Sequence, residues 1–400
     1  MEFITYEQAL DIIDQHPWYP EIESIEISQA TQRVLAEDIV ADRDFPPFDR
    51  VTMDGIAISY AAFKNGIREF KIEATQAAGA PALQLQTPDG CIEIMTGAML
   101  SKGADTIIKY EEVEIKDEFA QIITENVAQQ QNVHFKGLDQ KSGDVLIKSG
   151  HVIGAAEIGV LSTVGKHQIN VLSQPKALVV STGDELVDVS DTPLAHQIRK
   201  SNVWSVYSKL TEWGVTTDMM HLNDTKEVIY QSLKQAIEQY DFIVMSGGVS
   251  KGKFDYIPEV LNEIGVTKHF HRVKQRPGKP FWFGTTDSCR IFALPGNPVA
   301  TFMCLNTYVR RWLLQSHHQK VNSIKVSLTE DIQFKPDLTF FQQVKIDASS
   351  GHLLATPIRG NGSGDFANLT NADGFVVLPH GQSTFSQDEQ IDYIPYRNVV

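Results

Sequence analysis

The chain of 400 residues contains only three cysteines, Cys91, Cys289 and Cys304, and they lie far apart. No CxxC pair occurs, which argues against a disulfide framework and against a structural zinc site. Because free cysteines are usually buried, we expect three reduced thiols in hydrophobic cores.

Long apolar runs and basic charge are also scarce. No stretch approaches the roughly 20 apolar residues of a membrane-spanning helix, and the N-terminal segment MEFITYEQALDIIDQHP has an acidic helical pattern rather than that of a signal peptide. The formal net charge is −15 at pH 7, which disfavours general binding to nucleic acids or anionic membranes. We therefore expect a cytoplasmic protein in which any bound anion is held by a local cluster of cations.

Two common nucleotide-binding motifs are missing as well. The chain contains neither GxxxxGK[ST] nor GxGxxG, so the sequence supports neither a P-loop nor a classical dinucleotide-binding fold. A phosphate site, if the chain has one, must be built from other loops.

The hydrophobic pattern divides the chain into four predicted domains. Residues 1–41 and 144–169 form a discontinuous N-terminal domain, and residues 42–143 form an insert of short alternating strands. Residues 170–320 alternate strand and helix, and residues 321–400 form a small β domain. We therefore expect a multidomain α/β plus β fold, in which residues 170–320 contain an open, mainly parallel sheet. Ligands of such sheets bind at the carboxyl ends of the strands.

Three loops in this α/β region share one pattern, in which small and polar residues follow an apolar run: VVSTGDEL, VMSGGVSKGKFD and ALPGNPVA. Glycine lets a ligand approach the backbone, and a following helix presents free N–H groups, so the pattern is typical of a phosphate site. Each loop alone is consistent with an ordinary turn, but three at equivalent strand ends indicate a shared anion or nucleotide site. The candidate binding residues are Ser181, Thr182, Gly183, Asp184, Ser246, Gly247, Gly248, Ser250, Pro295, Gly296, Asn297 and Pro298.

The same region offers carboxylates and cations. Glu185 and Asp255 suit a metal ion that accompanies a phosphate, because Mg²⁺ commonly takes one or two carboxylates plus phosphate oxygens. The segment KQRPGKPFWFG places Arg276 and Lys279 on either side of Gly278. In so acidic a chain this cluster indicates the local anion site, and a solvated basic hairpin is the alternative.

Six ordered motifs resemble the MoeA family of molybdopterin molybdenumtransferases, and the chain is also similar to the E domain of gephyrin. The motifs are FPPFDxxxMDGxA, IMTGAxLxxGADxIIxxEE, STGDEL, SGGVSxGxxDY, RPGKPxxFG and LPGNPV, and the match covers essentially the whole chain. The resemblance implies that molybdate is inserted into adenylylated molybdopterin with release of AMP and assistance from Mg²⁺. It also implies a homodimer, and transient contacts with the molybdopterin adenylyltransferase and with molybdoenzyme maturation proteins.

The resemblance further implies roles for individual residues. The catalytic positions that match the family motifs are Asp54, Thr96, Glu185, Asp224, Asp255 and Lys279. Glu185, Asp224 and Asp255 would hold the metal and position the pterin phosphate, and Lys279 would bind the anion. Asp54 and Thr96 would close the site from the partner subunit's side of the cleft.

Several departures from the family pattern concern the rim of the expected site. Leu138 in HFKGLDQ replaces a glutamate, Gln342 and Gln343 stand in a strand that often carries an arginine, and GNGSGD with Ser363 replaces HQGS. These changes weaken the expected anion-binding surface at its rim. Two alternatives to the insertase therefore stay open: a molybdopterin adenylyltransferase, which consumes ATP, and a non-catalytic molybdopterin-binding scaffold.

Overall fold

The computed structural model describes residues 3–249, 256–349 and 351–397. The chain forms two compact units. Unit 1 comprises Met1–Ser24, Gln32–Val34 and Asn170–Val400, and unit 2 comprises Ile25–Thr31 and Leu35–Ile169. The three loops and the cationic segment singled out above therefore belong to unit 1, whereas Asp54 and Thr96 belong to unit 2.

The described helices alternate with short strands along the chain. In chain order the helices are α1 (Tyr6–Asp14), α2 (Tyr60–Lys64), α3 (Ala155–Thr163), α4 (Asn202–Glu212), α5 (Lys226–Gln239), α6 (Ile257–Glu263), α7 (Pro298–Cys304) and α8 (Arg310–Ser316). A π-helical turn, Leu305–Val309, joins α7 to α8. Among these helices, none combines the length and apolar character that crossing a membrane requires.

The strands are mostly two to nine residues long. They are β1 (Ile22–Glu26), β2 (Ile39–Val40), β3 (Arg50–Val51), β4 (Gly55–Ile58), β5 (Glu69–Gln76), β6 (Gly90–Ile94), β7 (Thr106–Lys109), β8 (Val113–Lys116), β9 (Phe119–Ile122), β10 (Val133–His134), β11 (Val145–Ile147), β12 (Gln168–Leu172), β13 (Lys176–Thr182), β14 (Leu186–Val187), β15 (Ile198–Arg199), β16 (Thr216–Leu222), β17 (Phe242–Ser246), β18 (Thr267–His271), β19 (Gln275–Arg276), β20 (Trp282–Thr285), β21 (Arg290–Leu294), β22 (Ile324–Leu328), β23 (Ile332–Gln333), β24 (Thr339–Asp347), β25 (Leu354–Pro357), β26 (Gly374–Leu378), β27 (Thr384–Phe385) and β28 (Gln390–Pro395).

The main sheet of unit 1 has the strand order β16-β13-β17-β21-β20-β18. The first four strands are parallel, β20 pairs antiparallel with β21, and β18 pairs antiparallel with β20. Every residue of β17 is buried, as expected for a parallel strand that is covered on both faces. The predicted open, mainly parallel α/β sheet is confirmed.

Successive side chains of β17 enter opposite cores, because the side-chain period of a strand is two. Phe242 and Val244 belong to a core that also receives residues from α4, α7 and α8. Ile243 and Met245 belong to a second core, which is shared with α5 and α6. Burial on both faces thus holds the strand in a single register.

The parallel register brings the carboxyl ends of three strands to one edge of the sheet. Ser181 of β13 pairs with Ser246 of β17, and Ser246 pairs with Leu294 of β21. The three loops with small and polar residues begin directly after these positions, so they leave the sheet side by side.

The C-terminal part of unit 1 is a separate β domain. Its sheet has the order β19-β24-β25-β22-β28-β26, and an additional pairing between β24 and β26 closes five of its strands into a ring. The remaining strand, β19, pairs in parallel with β24, so that Gln275 lies opposite Thr339 and Arg276 opposite Phe340. The cationic segment is therefore fastened to the C-terminal domain.

Unit 2 is built around a sheet with the order β7-β4-β6-β5-β9-β8. Ile56 and Ile58 of β4 enter one core, and Ala57 between them enters another. Gly55, at the start of β4, has no room for a side chain, since a Cβ atom would lie 1.9 Å from the Ile108 carbonyl oxygen. The sheet lies within the segment for which the sequence predicts short alternating strands.

The three cysteines are buried and unpaired, as predicted. Burial raises the pKa of the Cys91 and Cys289 thiols to about 12, which keeps both thiols protonated at neutral pH. They therefore act as small hydrophobic core residues.

Phe292→Ala is expected to destabilise unit 1. The Phe292 ring is fully buried against Phe242, Phe283 and Trp312, and removing such a ring lowers the free energy of unfolding by about 3–5 kcal/mol. All five tryptophans lie in unit 1, so tryptophan fluorescence during urea titration reports its unfolding. Val228→Ala, at a side chain that is 47% exposed on α5, should change this free energy by less than about 0.5 kcal/mol. Equal effects of the two substitutions would contradict the described core.

Candidate active site

A cavity of 1410 Å³ lies within unit 1, where the three strand-end loops, residues 275–280 and the C-terminal β domain meet. Among the residues that the sequence singles out, its wall contains Thr182, Gly183, Glu185, Asp224, Gly247, Gly248, Arg276, Gly278, Lys279, Pro295, Gly296 and Asn297. The cavity therefore brings together predicted anion-binding, metal-binding and cationic groups.

The other predicted residues lie elsewhere. Four flank or belong to these loops without lining the cavity, namely Ser181 in β13, Ser246 at the end of β17, Asp184 in the loop after β13, and Pro298 at the start of α7. Ser250 and Asp255 lie outside the described residues.

Two consecutive glycines shape the loop after β17. Gly247 and Gly248 have φ angles of +100° and +69°, in the region that L side chains rarely adopt. A Cβ atom on Gly248 would lie 2.7 Å from Ile257 Cγ1 and 2.9 Å from Thr182 Oγ1. The Thr182 hydroxyl is itself buried and has no hydrogen-bond partner among the described residues. Since buried hydroxyls are normally hydrogen-bonded, this one fits contact with a ligand.

Two carboxylates face the same cavity. The exposed Glu185 and the half-buried Asp224 come from neighbouring loops, which are joined by a 3.2 Å hydrogen bond from the Asp224 N–H to Asp184 Oδ1. No group of three potential metal-binding side chains occurs in the part of the chain that the structure describes. Two carboxylates are nevertheless a suitable set for Mg²⁺ when phosphate oxygens complete the coordination.

Residues 276–279 form a cationic turn that a backbone hydrogen bond holds in place. Gly278 has a φ of +91°, and the Val273 N–H donates a hydrogen bond of 3.0 Å to the Lys279 carbonyl oxygen. The side chains of Arg276 and Lys279 are exposed, and Lys279 Nζ lies 5.3 Å from the centre of the Phe3 ring. Two positively charged side chains on a held backbone therefore line the cavity.

The C-terminal domain supplies a third cation that the motif analysis misses. Arg359 is exposed and lines the cavity, close in sequence to the strand-end residue Pro357. Gln343 also lines it: its Oε1 accepts a 2.7 Å hydrogen bond from Asn368, while its buried Nε2 has no partner among the described residues. Gln342 Nε2 instead donates to the Ile358 carbonyl at 2.8 Å. The strand without the expected arginine thus carries one amide donor with no described partner, and an arginine from another segment lines the same cavity.

The other two departures have different surroundings. Ser363 Oγ accepts a 2.7 Å hydrogen bond from Asn297 Nδ2, and the Val299 N–H donates to the Ser363 carbonyl at 3.1 Å. These bonds fasten the GNGSGD loop to the LPGNP loop. Leu138 belongs to unit 2, where its side chain is 66% exposed.

Asn202, at the start of α4, is a structural link that no motif identifies. Its Nδ2 lies 2.9 Å from Ser246 Oγ, 2.7 Å from the Gly296 carbonyl oxygen and 3.3 Å from Thr301 Oγ1. One side-chain amide therefore joins the end of β17 to the loop after β21. A polar residue at a helix start usually indicates only a cap, so the sequence carries no signal for this role.

Asp54 and Thr96 form a pair within unit 2. The Thr96 N–H donates a 2.6 Å hydrogen bond to Asp54 Oδ1, and this bond, helped by the Thr96 hydroxyl, holds the pKa of the Asp54 carboxyl below its ordinary value. The stabilisation is present above the unfolded-state pKa of about 3.9 and is lost as the pH falls through the lower folded-state pKa. Asp54 is therefore a carboxylate at neutral pH.

Three family models match the chain in order. They are the MoeA N-terminal region (domain I and II) over residues 4–165, the "Probable molybdopterin binding domain" over residues 178–315, and the MoeA C-terminal region (domain IV) over residues 325–396. The chain belongs to the MoeA family.

Individual MoeA relatives match over nearly their full lengths. The molybdopterin molybdenumtransferase of Synechocystis sp. is 38% identical over 96% of this chain and 98% of its own length. The enzyme of the same name from Staphylococcus aureus strain Mu50 is 31% identical over 96% of this chain and 93% of its own. The crystal structure of a molybdopterin biosynthesis MoeA protein from Pyrococcus horikosii is similar with a TM-score of 0.83 at 27% identity, covering 99% of this chain and 100% of that one.

Asn202→Ala is expected to loosen two of the loops of this MoeA site. The substitution leaves the Gly296 carbonyl and the Ser246 hydroxyl without their donor, so amide hydrogen exchange should accelerate at residues 246–249 and 295–301. Exchange in the central turns of α5 should not change. Ser205→Ala, one turn away on the exposed side of α4, is the matched control. Unchanged exchange in both loops would rule out the linking role of Asn202.

Proposed function

We propose that this chain is a molybdopterin molybdenumtransferase, which inserts molybdate into adenylylated molybdopterin and releases AMP to give molybdenum cofactor. The observation that carries the proposal is the single cavity that glycine loops, carboxylates and cations share, in a chain that belongs to the MoeA family. The curated relatives with which it aligns almost end to end are named for this transferase activity.

The strand-end loops are suited to the phosphate groups of the substrate. Gly247 and Gly248 expose the backbone, and the Thr182 hydroxyl offers an unused hydrogen bond beside them. Ser250, which the sequence also predicts to bind the substrate, lies outside the described residues. The pterin phosphate and the AMP phosphate would bind here.

The carboxylates are suited to a divalent cation. We infer that Glu185 and Asp224, with Asp255 from outside the described residues, hold Mg²⁺. A bound Mg²⁺ would neutralise phosphate charge at the link between the pterin phosphate and AMP.

The cations are suited to molybdate, which is a substrate and a tetrahedral dianion. Lys279 and Arg276 present positive charge from one backbone turn of the cavity wall, and Arg359 adds a charge from the C-terminal domain. The free Nε2 of Gln343 adds a neutral donor. Preorganised donors of this kind stabilise negative charge as it develops, with little reorganisation during the reaction.

The proposal includes a homodimer, as the family resemblance implies, with Asp54 and Thr96 contributing to catalysis, and a location in the cytoplasm, as the sequence pattern indicates. It also includes transient contacts with the molybdopterin adenylyltransferase that supplies the substrate and with maturation proteins that receive the cofactor. Neither the adenylyltransferase reaction nor a non-catalytic scaffold is favoured by a specific observation, since the family matches extend on both sides of the molybdopterin-binding domain.

Reconstitution tests the proposal directly. Purified protein that receives adenylylated molybdopterin, Mg²⁺ and molybdate is expected to release AMP in a molybdate-dependent manner. Glu185→Ala should abolish most of this release, whereas Glu238→Ala, at an exposed position on α5, should not alter it. ATP consumption in place of AMP release would indicate an adenylyltransferase. Tight pterin binding without AMP release would leave only the scaffold.

Arg359→Ala is expected to raise the molybdate concentration for half-maximal AMP release by about tenfold or more. A hydrogen bond to a charged group contributes about 1.5–3 kcal/mol, and each 1.4 kcal/mol corresponds to a factor of ten. The control is Arg397→Ala, which removes an exposed arginine of the same domain that does not line the cavity. Identical molybdate dependence of the two variants would remove Arg359 from the anion site.

A further inference from the structure

Tyr308 is a fully buried tyrosine whose hydroxyl donates a hydrogen bond to one side chain. It lies in the π-helical turn Leu305–Val309, and its ring packs 4.7 Å from the ring of Phe281, centre to centre. The hydroxyl donates a hydrogen bond to Gln275 Oε1. Burial raises the pKa of this hydroxyl far above its ordinary value, so it stays a neutral donor. Single π-helical turns are frequent near functional sites.

Gln275 connects the Tyr308 hydroxyl to the cationic turn through the two ends of its side-chain amide. Because its Oε1 accepts from Tyr308, its Nε2 must point the opposite way, and it donates to the Gly278 carbonyl oxygen at 2.9 Å. The same Nε2 lies 3.5 Å from Cys304 Sγ. Gln275 is only 1% exposed, so no water can replace these partners without rearrangement of the core.

Gly278 packs so closely against Gln275 and α7 that no side chain would fit at its position. A Cβ atom at this position would lie 2.8 Å from both Cys304 Sγ and Gln275 Nε2, and 3.0 Å from Met303 Cε. The residue stands between Arg276 and Lys279. The peptide that separates the two cations is therefore held against α7 and the π-helical turn.

We infer that Tyr308 and Gln275 are positioning residues that set the spacing of the Arg276 and Lys279 side chains for a tetrahedral oxyanion. The inference rests on the proposed function, since it deepens the anion end of the same site. The backbone of the turn is fixed by the Gln275 amide, while the two charged heads are exposed and form no salt bridge within the described part of the chain. The spacing at which the two side chains leave the backbone consequently depends on this buried support, while the Arg276 and Lys279 heads lie 6.0 Å and 5.3 Å from the ring centres of Phe334 and Phe3.

The Tyr308–Gln275 contact is expected to affect the cationic end of the cavity and not the end formed by the glycine loops. The support reaches the cationic turn, but none of its described hydrogen bonds reaches the glycine loop after β17 or the loop after β13. Loosening it should weaken oxyanion binding and leave binding of the phosphate groups intact.

Tyr308→Phe tests the inference, because it removes one hydroxyl and keeps the ring. The dissociation constant for molybdate, measured by calorimetry on the whole protein, is expected to rise by up to about fivefold, which corresponds to the full value of one ordinary hydrogen bond. The dissociation constant for adenylylated molybdopterin should not change. Amide exchange at residues 275–280 should accelerate in the absence of any ligand.

Tyr393→Phe is a matched control. Tyr393 is also buried, at 4% exposure, and its hydroxyl has no hydrogen-bond partner among the described residues. This substitution should alter neither dissociation constant. Gln275→Met is the second variant: it should reproduce the effect on molybdate, and adding Tyr308→Phe to it should produce no further change.

Two outcomes would overturn the inference. The first is an equal dissociation constant for molybdate in the Tyr308→Phe and Tyr393→Phe variants. The second is a parallel loss of affinity for molybdate and adenylylated molybdopterin, which indicates a general loss of stability. Failure of the proposed function is a different result, namely absence of AMP release from unaltered protein that binds both ligands.

Discussion

The parallel register of β13, β17 and β21 is the constraint on which the rest of the site depends. A shift of one residue would exchange the side chains of β17 between the two cores of unit 1 and would move the Phe242 ring into the core that now holds Ile243 and Met245. The same register brings three loops to one edge, so that Thr182, Gly248 and Gly296 line a single cavity. Asn202 then fastens two of these loops to each other.

The cavity wall combines three cations with four carboxylates, those of Glu185, Asp224, Glu330 and Asp331. The formal net charge is −15, yet Arg276, Lys279 and Arg359 face one cavity. At physiological ionic strength, interactions between exposed charges are screened beyond about 8 Å, so that local groups decide whether an anion binds. The backbone contacts of Gly278 and Lys279, together with the buried Gln275, hold the cationic turn in place. The turn therefore does not depend on salt bridges to acidic side chains, which would compete with an anionic substrate.

The sequence predicts those parts of the site that depend on local pattern. Alternating strands and helices indicate the sheet, and the glycine loops follow because the carboxyl ends of parallel strands share an edge. Asn202, Arg359 and the Tyr308–Gln275 contact could not be predicted in this way. Each depends on which distant segments meet: Asn202 lies 94 positions from Gly296, and Tyr308 lies 33 positions from Gln275. The type of a single residue does not indicate which residue, distant in the sequence, it will contact in the folded chain.

A crystal structure with bound adenylylated molybdopterin and molybdate would test the central claim most directly. The account predicts phosphate density beside Gly247 and Gly248, and an anomalous molybdenum peak whose oxygens lie within salt-bridge distance of Lys279 and Arg276. Ligand density away from this cavity, or molybdenum remote from both cations, would contradict the account.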